Sequence, residues 1–205
     1  MNIHIVNLKK ESERRKSILS QAEKYNLNVK IFNAYTKEEA LCPVGQHCIQ
    51  KKIGVVPSEG SFIGKRDMAI YMSQVALYEE LLKDSMADYF VIGEDDIEFR
   101  SDTKKWIVSA LRLKNHWDVC YLHTSKLWCK KFGNDEYKYI NKNFFKLDKP
   151  HWSNALYIIS RSGIIKFLKR SYPMVDRVDV ALYKNGLRQI CLTPGIFDRC
   201  RFNQS

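Results

Sequence analysis

The first 34 residues read as a strand, a helix and a second strand, and this order restricts the folds open to the chain. Residues 3–8 form a short apolar run typical of a buried strand. Ser12 and Glu13 predict a helix start, with Ser12 as the N-cap, and residues 29–34 resume a strand pattern. Because the helix must cross one face of the sheet, such a unit builds parallel sheet. The chain is therefore predicted to begin as an α/β fold.

The same alternation continues along the rest of the chain. The predicted helices are 67–83, 103–114, 162–169 and 179–184, and the predicted strands are 89–92, 117–122, 155–159 and 189–193. Residues 36–65 lack periodicity and predict a long loop that covers a ligand site, with disorder as the alternative. Turn residues at 133–135 predict an antiparallel hairpin within 124–150. We expect one domain, 1–205, with a mainly parallel central sheet and helices on both faces.

The chain is basic, with a net charge of +11 at pH 7 from 34 basic and 23 acidic residues. Such a charge attracts anionic partners at long range. The partner could carry the phosphates of nucleic acid, of an anionic membrane or of a phosphorylated sugar, because Coulomb attraction does not distinguish between these groups. Hydrophobic residues make up 45% and charged residues 28%, a balance that excludes a wholly disordered chain.

Signals of export and of membrane insertion are not readable in the sequence. Residues 1–7 lack a basic segment followed by a long apolar stretch, and no apolar run approaches the roughly 18 residues that span a bilayer. The six cysteines show no CxxC pair, which argues against structural zinc and favours reduced thiols over disulfides. We expect a cytoplasmic protein whose membrane contact, if any, is peripheral.

The strongest chemical feature is an apolar strand that runs directly into Glu94, Asp95 and Asp96. Three adjacent carboxylates repel one another unless water, a basic neighbour or a cation intervenes. Ligands of open α/β sheets bind outside the carboxyl ends of strands, which is where this triplet falls. Oxygen ligands suit Mg²⁺ or Mn²⁺. The sequence therefore predicts a metal site, with a solvated acidic turn as the alternative.

Several segments resemble the motifs of glycosyltransferase family 25, which includes the lipooligosaccharide β-galactosyltransferases. The matching segments are Ile5–Lys10 with Glu13–Arg15, Phe32–Ala34, Met72–Gln74 with Leu77–Tyr78, Glu94–Asp96, Tyr157–Ser160, and Val178–Asp179 with Leu182–Tyr183. The resemblance implies a GT-A-like, Rossmann-type nucleotide-binding fold and Mn²⁺ or Mg²⁺. It also implies inverting transfer of a hexose from a UDP-sugar to a saccharide or lipid-linked acceptor, and galactose is the first candidate for the hexose. The implied process is lipopolysaccharide biosynthesis at the cytoplasmic face of the inner membrane.

This sequence also departs from that pattern. The family usually has Gly-Cys and a His around the third helix, where this chain has Ala69, Ile70 and Gln74. Donor or acceptor preference is then expected to differ, and a catalytically silent domain is an alternative. Ser73 and Gln74 are candidate site residues, with helix packing as their other interpretation.

Each part of the transfer chemistry has candidate residues. Glu94 and Asp96 are the predicted metal ligands, with Asp95 as the second choice. Glu94 and Asp95 are also predicted to bind the donor. Asp179 is the predicted base that takes the acceptor proton. Asp176 is the alternative base, or only an N-cap.

The donor is expected to contact the opening strands and the first helix. Arg14 and Arg15 begin that helix and are candidates for neutralising the donor phosphates, with solvated helix charge as the other interpretation. The remaining predicted donor-binding residues are Asn7, Leu8, Ala34 and Ser73.

Two weaker features can also be explained by an ordinary structural role. His123 and His151 are possible further metal ligands, although a lone His is more often structural. The basic and aromatic stretch 126–149 suits an acceptor platform, contact with an anionic membrane, or the core of a hairpin. Its aromatic residues include Trp128, Tyr137, Tyr139, Phe144 and Phe145.

Two other classes of protein compete with a transferase. A nucleic-acid-binding or membrane-surface-binding module explains the charge, but no helix-turn-helix, zinc-finger or RNP-type motif is present and the acidic triplet opposes a phosphate-backbone site. A metal-dependent phosphoesterase or nuclease needs more carboxylate and His ligands than the pattern offers. Nucleic acid is therefore not the expected partner.

Overall fold

The computed structural model describes residues 1–40, 64–123, 138–151, 153–171, 174 and 176–192. The strands are β1 (Asn2–Leu8), β2 (Asn28–Ala34), β3 (Tyr89–Glu94), β4 (Val119–Tyr121), β5 (Tyr139–Asn141), β6 (Phe144–Lys146), β7 (Leu156–Ser160) and β8 (Gln189–Leu192). The α-helices are α1 (Ser12–Lys24), α2 (Lys37–Ala40), α3 (Lys65–Leu81), α4 (Thr103–Leu111), α5 (Arg161–Leu168) and α6 (Val178–Lys184), and Lys114–His116 forms a 3₁₀ turn.

In these residues the strands build one eight-stranded sheet in the order β2-β1-β3-β7-β4-β8-β6-β5. The β1 strand pairs in parallel with β2 and β3, and β4 pairs in parallel with β8. The β7 and β6 strands run against their neighbours, so all strands except these two point the same way. The predicted α/β class with a mainly parallel direction is confirmed. The carboxyl ends of β1, β2 and β3 meet at one edge.

Helices cover both faces of the sheet, as predicted. Alternate residues of β3 point to opposite sides, because successive side chains of a strand alternate. Phe90 and Ile92 join a core under α3, α5 and α6. Val91 joins a second core, which contains residues of α1 and α4.

Element boundaries differ from the predictions at the N-terminal helix and in the predicted loop. Ser12 is the first residue of α1, and Glu11 occupies the N-cap position without a side-chain cap, so the predicted Ser12 cap is wrong. Residues 37–40 are helical, and α3 begins at Lys65. The rest of the predicted loop, 41–63, lies outside the described residues. Helix ends depend on tertiary contacts as well as on the local pattern, which explains these shifts.

A hairpin is present, formed by β5 and β6. The predicted turn at 133–135 lies outside the described residues, as do Trp128 and Tyr137. The observed turn follows Asn141, whose Oδ1 accepts hydrogen bonds from the amides of Asn143 (2.9 Å) and Phe144 (3.1 Å). Phe144 and Phe145 are buried in the two cores, so the hairpin-core interpretation holds for them and the platform interpretation does not.

Two further observations concern the described part of the chain. Cys120 and Cys191 are buried free thiols on β4 and β8. No helix within the described ranges has both the length and the apolar character to cross a bilayer.

Candidate functional site

A cavity of about 600 Å³ opens at the carboxyl ends of β1, β2 and β3. Leu8 pairs with Ala34, and Val6 pairs with Glu94, so the registers bring the three strand ends side by side. Residues of α3 form the facing wall. The cavity therefore lies at the position where open α/β sheets bind their ligands.

Gly93 allows the strands to pack closely beneath the acidic triplet. A Cβ at this position would lie 2.9 Å from Cδ1 of Ile5, 3.0 Å from Cδ1 of Ile97 and 3.2 Å from the carbonyl oxygen of Ala155. A larger residue would push these neighbours apart. Glycine therefore allows this close packing directly before Glu94 at the end of β3.

The three acids of the triplet have different surroundings. Glu94 and Asp96 are half-buried and line the cavity. Asp95 is buried at the cavity wall, where its Oδ2 accepts a hydrogen bond from Nδ2 of Asn7 (2.7 Å) and its Oδ1 lies 3.3 Å from Nη1 of Arg14. Burial raises the pKa of Asp95, against the opposing effects of Asn7 and Arg14. Asp95 thus ties β3 to β1 and α1.

Asn7 and Arg15 lie behind the cavity rather than in its lining. Nε of Arg15 donates to Oδ1 of Asn7 (2.8 Å), and its Nη2 donates to Oδ1 of Asn33 (2.7 Å). Nδ2 of Asn7 also donates to the carbonyl oxygen of Glu11 (3.2 Å). These bonds join β1, β2 and the start of α1.

Leu8, Ala34, Arg14 and Ser73 all line the cavity. The Ser73 hydroxyl accepts from the Tyr35 amide (2.8 Å) and donates to the Ala69 carbonyl (2.7 Å). It therefore anchors the end of β2 against α3.

A smaller pocket of about 140 Å³ adjoins the main cavity, since Glu94, Asn154 and Ile70 line both. Asp179 lines this smaller pocket, with its Oδ1 2.9 Å from the Val180 amide. Burial raises the pKa of Asp179, while Arg177 acts in the opposite direction. Asp179 and Glu94 thus line the same pocket.

Asp176, the alternative base, is placed differently. Its carboxylate pairs with Nζ of Lys184 at 3.0 Å. It lines neither the main cavity nor the smaller pocket.

Sequence reasoning missed several residues of the lining. Lys10, Lys37 and Arg66 contribute positive charge at the cavity, and Asn154 stands at its junction with the smaller pocket. Lys10 belongs to the family-like segment Ile5–Lys10, but the sequence assigns it no role of its own. Lys37 and Arg66 gave no local signal, because basic residues are spread along the whole chain. Asn154 is three residues before the Tyr157–Ser160 segment, but no pattern marks it.

Glu94 and Asp96 are the side chains suited to a divalent cation. Within the described ranges, no group of three or more His, Cys, Asp or Glu side chains is arranged to hold a metal ion. His123 and His151 lie outside the cavity lining, and the ring of His151 stacks on Tyr121 with centroids 4.3 Å apart. Burial lowers the pKa of His151 to about 4. Two carboxylates fit Mg²⁺, which commonly takes one or two of them together with substrate phosphates and water.

An open α/β sheet with a cavity at the carboxyl ends of its first strands is the arrangement of nucleotide-binding α/β proteins. The chain matches the model of Glycosyltransferase family 25 (LPS biosynthesis protein) over residues 1–182. It therefore belongs to glycosyltransferase family 25.

Two curated relatives come from Neisseria meningitidis serogroup B. The lacto-N-neotetraose biosynthesis glycosyltransferase LgtB is 24% identical over 177 residues, covering 83% of this chain and 62% of the relative. The lacto-N-neotetraose biosynthesis glycosyltransferase LgtE is also 24% identical over 177 residues, and the match covers 83% of this chain and 60% of the relative. The chain thus spans about three-fifths of the length of these relatives.

Among solved structures, the crystal structure of A197 from STIV resembles this chain with a TM-score of 0.51. The two are 10% identical, and the match covers 94% of this chain and 81% of the other. This likeness concerns the fold alone.

Proposed function

We propose that the chain is an inverting, metal-dependent glycosyltransferase that moves a hexose from a UDP-sugar to a saccharide acceptor. Galactose is the proposed hexose, and lipopolysaccharide or lipooligosaccharide assembly is the proposed process. The family and the names of its relatives support transfer of a sugar in this context. One observation carries the proposal: Glu94 lines both the strand-end cavity and the adjoining pocket that contains Asp179. Donor and acceptor chemistry would meet there.

The donor diphosphate is proposed to bind beside Glu94 and Asp96. In the described lining, five acidic side chains face four basic ones, a balance that by itself does not favour a diphosphate: Glu11, Glu38, Glu94, Asp95 and Asp96 against Lys10, Arg14, Lys37 and Arg66. A bound Mg²⁺ or Mn²⁺ would reverse this balance and stabilise the charge on the departing UDP. Arg14 and Arg66 would contact phosphate oxygens directly.

The nucleoside is proposed to lie over the ends of β1 and β2. Leu8, Ala34 and Tyr35 supply apolar surface on that side of the cavity. Asn7 and Arg15 support this wall from behind through their hydrogen bonds. They would act by holding the strand ends in place.

Asp179 is proposed as the base for the acceptor. The acceptor hydroxyl oxygen forms a bond to the anomeric carbon as the bond from that carbon to the UDP oxygen breaks. The hydroxyl proton passes to Asp179, and UDP leaves. A carboxylate whose pKa is raised by burial is a stronger base than an ordinary aspartate.

The acceptor is proposed to be a saccharide or a lipid-linked oligosaccharide. The net charge of +11 supports contact with an anionic membrane surface. Attraction of the basic chain as a whole to anionic headgroups would then bring the cavity close to a lipid-linked acceptor.

Substitution of Asp96 tests the proposal most directly. Asp96→Ala is expected to reduce Mn²⁺-dependent UDP binding and to lower release of UDP from UDP-galactose by about 100-fold or more, because a metal-ion ligand is lost. Isothermal calorimetry with UDP and Mn²⁺, and an assay of UDP release with a saccharide acceptor, measure the two effects. The melting temperature reports whether the variant is folded.

Glu98→Ala is the matched control, because Glu98 is an exposed acid two residues away and outside the cavity lining. It is expected to bind UDP like the wild type. Unchanged UDP release in Asp96→Ala would contradict the site. UDP binding without any sugar transfer in the wild type would instead favour a silent domain. Ala69, Ile70 and Gln74, which depart from the family pattern, all line the cavity.

A further inference from the structure

Asp95 is engaged through both of its carboxylate oxygens, although it belongs to the acidic triplet. Its Oδ2 accepts from Nδ2 of Asn7 at 2.7 Å, and its Oδ1 lies 3.3 Å from Nη1 of Arg14. A carboxylate paired with a guanidinium is a poor ligand for a divalent cation, because the cation would have to approach the positive charge of Arg14. The surroundings of Asp95 therefore favour a role different from that of Glu94 and Asp96.

Asn7 is fixed in the orientation that Asp95 requires. Asn7 is 1% exposed, and its Oδ1 accepts a hydrogen bond from Nε of Arg15 at 2.8 Å. An arginine can only donate, so the amide oxygen must face Arg15 and the amide NH₂ group is left for Asp95. Arg15 also donates from Nη2 to Oδ1 of Asn33 at 2.7 Å, and Asn33 is the residue that pairs with Asn7 across β1 and β2. Arg14 is therefore the last member of a chain of contacts that begins at β2.

Arg14 is the basic member of this chain that reaches the cavity. Arg14 and Asp95 belong to the cavity lining, whereas Asn7, Arg15 and Asn33 do not. A guanidinium has several N–H donors, so Arg14 can pair with Asp95 and with a phosphate oxygen at the same time. A side chain that is already held in place loses less rotational freedom when a ligand binds. Pairing with Asp95 thus prepares Arg14 for an anionic ligand.

We infer that Asp95 is a positioning residue, which orients Arg14 toward the donor diphosphate and is itself held in place by Asn7 and Arg15. This inference rests on the proposed function and deepens it, because it takes Asp95 out of the metal site and assigns it to phosphate recognition. Arg14 contacts the phosphate, and Asp95 acts only through Arg14.

A double-mutant cycle of Asp95→Asn and Arg14→Gln tests the inference. Asparagine offers one acceptor oxygen to two donors, so Asp95→Asn must lose the contact to Asn7 or the contact to Arg14. Each single variant is expected to weaken binding of UDP by about 10-fold. The double variant is also expected to lose about 10-fold rather than about 100-fold, because Asp95 acts through Arg14. Isothermal calorimetry in the presence of Mn²⁺ measures the affinities.

The Mn²⁺ requirement provides a second measurement. At saturating UDP, the Mn²⁺ concentration for half-maximal binding should stay within about twofold of the wild-type value in Asp95→Asn, because no metal ligand is lost. The same concentration should rise in Asp96→Ala, which removes a proposed ligand. A merely structural role of Asp95 would not produce this difference together with the coupling to Arg14.

Arg15→Lys tests the chain of contacts without a change in the acidic triplet. It keeps the positive charge but loses the planar group that bridges Asn7 and Asn33. The variant is expected to bind UDP about threefold more weakly, with no further effect when Arg14 is already replaced. The melting temperature reports whether each variant is folded.

Glu98→Gln and Lys16→Arg are the matched controls. Glu98 is an exposed acid three residues from Asp95, and Lys16 is an exposed base next to Arg15. Neither belongs to the cavity lining. Both variants are expected to bind UDP within about twofold of the wild type, because water and salt screen exposed charges.

The outcomes separate this inference from the function on which it rests. Losses that add to about 100-fold in the double variant, or a raised Mn²⁺ requirement in Asp95→Asn, would make Asp95 a ligand in its own right and overturn the inference. Unchanged UDP binding in Asp95→Asn and in Arg15→Lys would overturn it as well. A wild-type protein that binds no UDP in the presence of Mn²⁺ would overturn the proposed function itself.

Discussion

Buried aspartates have different surroundings at the two ends of the parallel strands, which are called here the two edges of the sheet. At the edge away from the cavity, Asp118 precedes β4, and its side chain is 1% exposed. It accepts hydrogen bonds from the Arg188 amide (2.9 Å) and from Nζ of Lys166 (3.1 Å). Burial by itself would raise the pKa of Asp118, but the hydrogen bonds from Arg188 and Lys166 outweigh it, and the net pKa is lowered.

At the cavity edge, burial outweighs the effect of basic neighbours on the pKa of the aspartates. Burial raises the pKa of Asp95 and of Asp179, although each has a basic neighbour. Oδ1 of Asn154, which lines the cavity, has no hydrogen-bond partner among the described residues. The comparison shows that hydrogen bonds from basic groups outweigh burial at Asp118, whereas burial outweighs the basic neighbours at the two cavity aspartates.

The largest expected effect concerns turnover. Asp179→Asn should lower sugar transfer by about 10²–10⁴-fold, because asparagine cannot accept the acceptor proton. Binding of UDP should stay within about twofold, since Asp179 lines the smaller pocket and not the main cavity. Steady-state kinetics and calorimetry give the two values. Transfer at the wild-type rate would remove Asp179 as the base and reopen the question of Asp176.

The next effect concerns stability at the opposite edge. Asp118→Asn should lower the free energy of unfolding by about 2–3 kcal/mol, because charge-assisted hydrogen bonds to Lys166 and Arg188 are lost. Urea unfolding measures this loss. Asp88→Asn, at an exposed aspartate beside the start of β3, is the control and should change stability by less than about 0.5 kcal/mol. Similar losses in both variants would show that the Asp118 network contributes little.

The smallest effect is a difference in pH dependence. A carboxylate with a lowered pKa stabilises the fold at neutral pH and loses that contribution as pH falls through its folded-state pKa, so the deficit of Asp118→Asn should shrink in acid. A carboxylate with a raised pKa costs stability at neutral pH, so Asp179→Asn should be about 0.5–1 kcal/mol more stable than the wild type there. That gain should disappear in acid, where the wild-type carboxyl is protonated.

Urea unfolding at pH 7 and at about pH 3 compares the two variants with the wild type. The two differences should have opposite signs at pH 7 and converge in acid. Differences of the same sign at pH 7 would end the contrast between the edges.

Much of the fold and part of the site could be predicted from local patterns. The apolar run before Glu94 predicts β3, and the position of the triplet after it predicts an edge where ligands bind. The different surroundings of the three acids could not be predicted. Asp95 is held by Asn7 and Arg14, which are more than eighty residues away in the chain. Sequence spacing carries no information on such contacts.

Arg14 and Arg15 show the same limit within one helix turn. Both were equal candidates for phosphate binding, because adjacent basic residues at a helix start look alike in sequence. The structure places Arg14 in the cavity lining and turns Arg15 toward Asn7 and Asn33. Successive residues of a helix point about 100° apart, so only the packing of α1 on the sheet decides which one faces the cavity.

The sequence by itself determined the α/β class, the order of its elements and the place of the acidic triplet, because periodicity and strand ends are local properties. The tertiary structure decided which polar groups face the cavity, and it brought Asn154 and Asp179 beside Glu94. It also set the directions of the pKa shifts at both edges. Burial and long-range hydrogen bonds control these properties, and they exist only once distant segments have packed together.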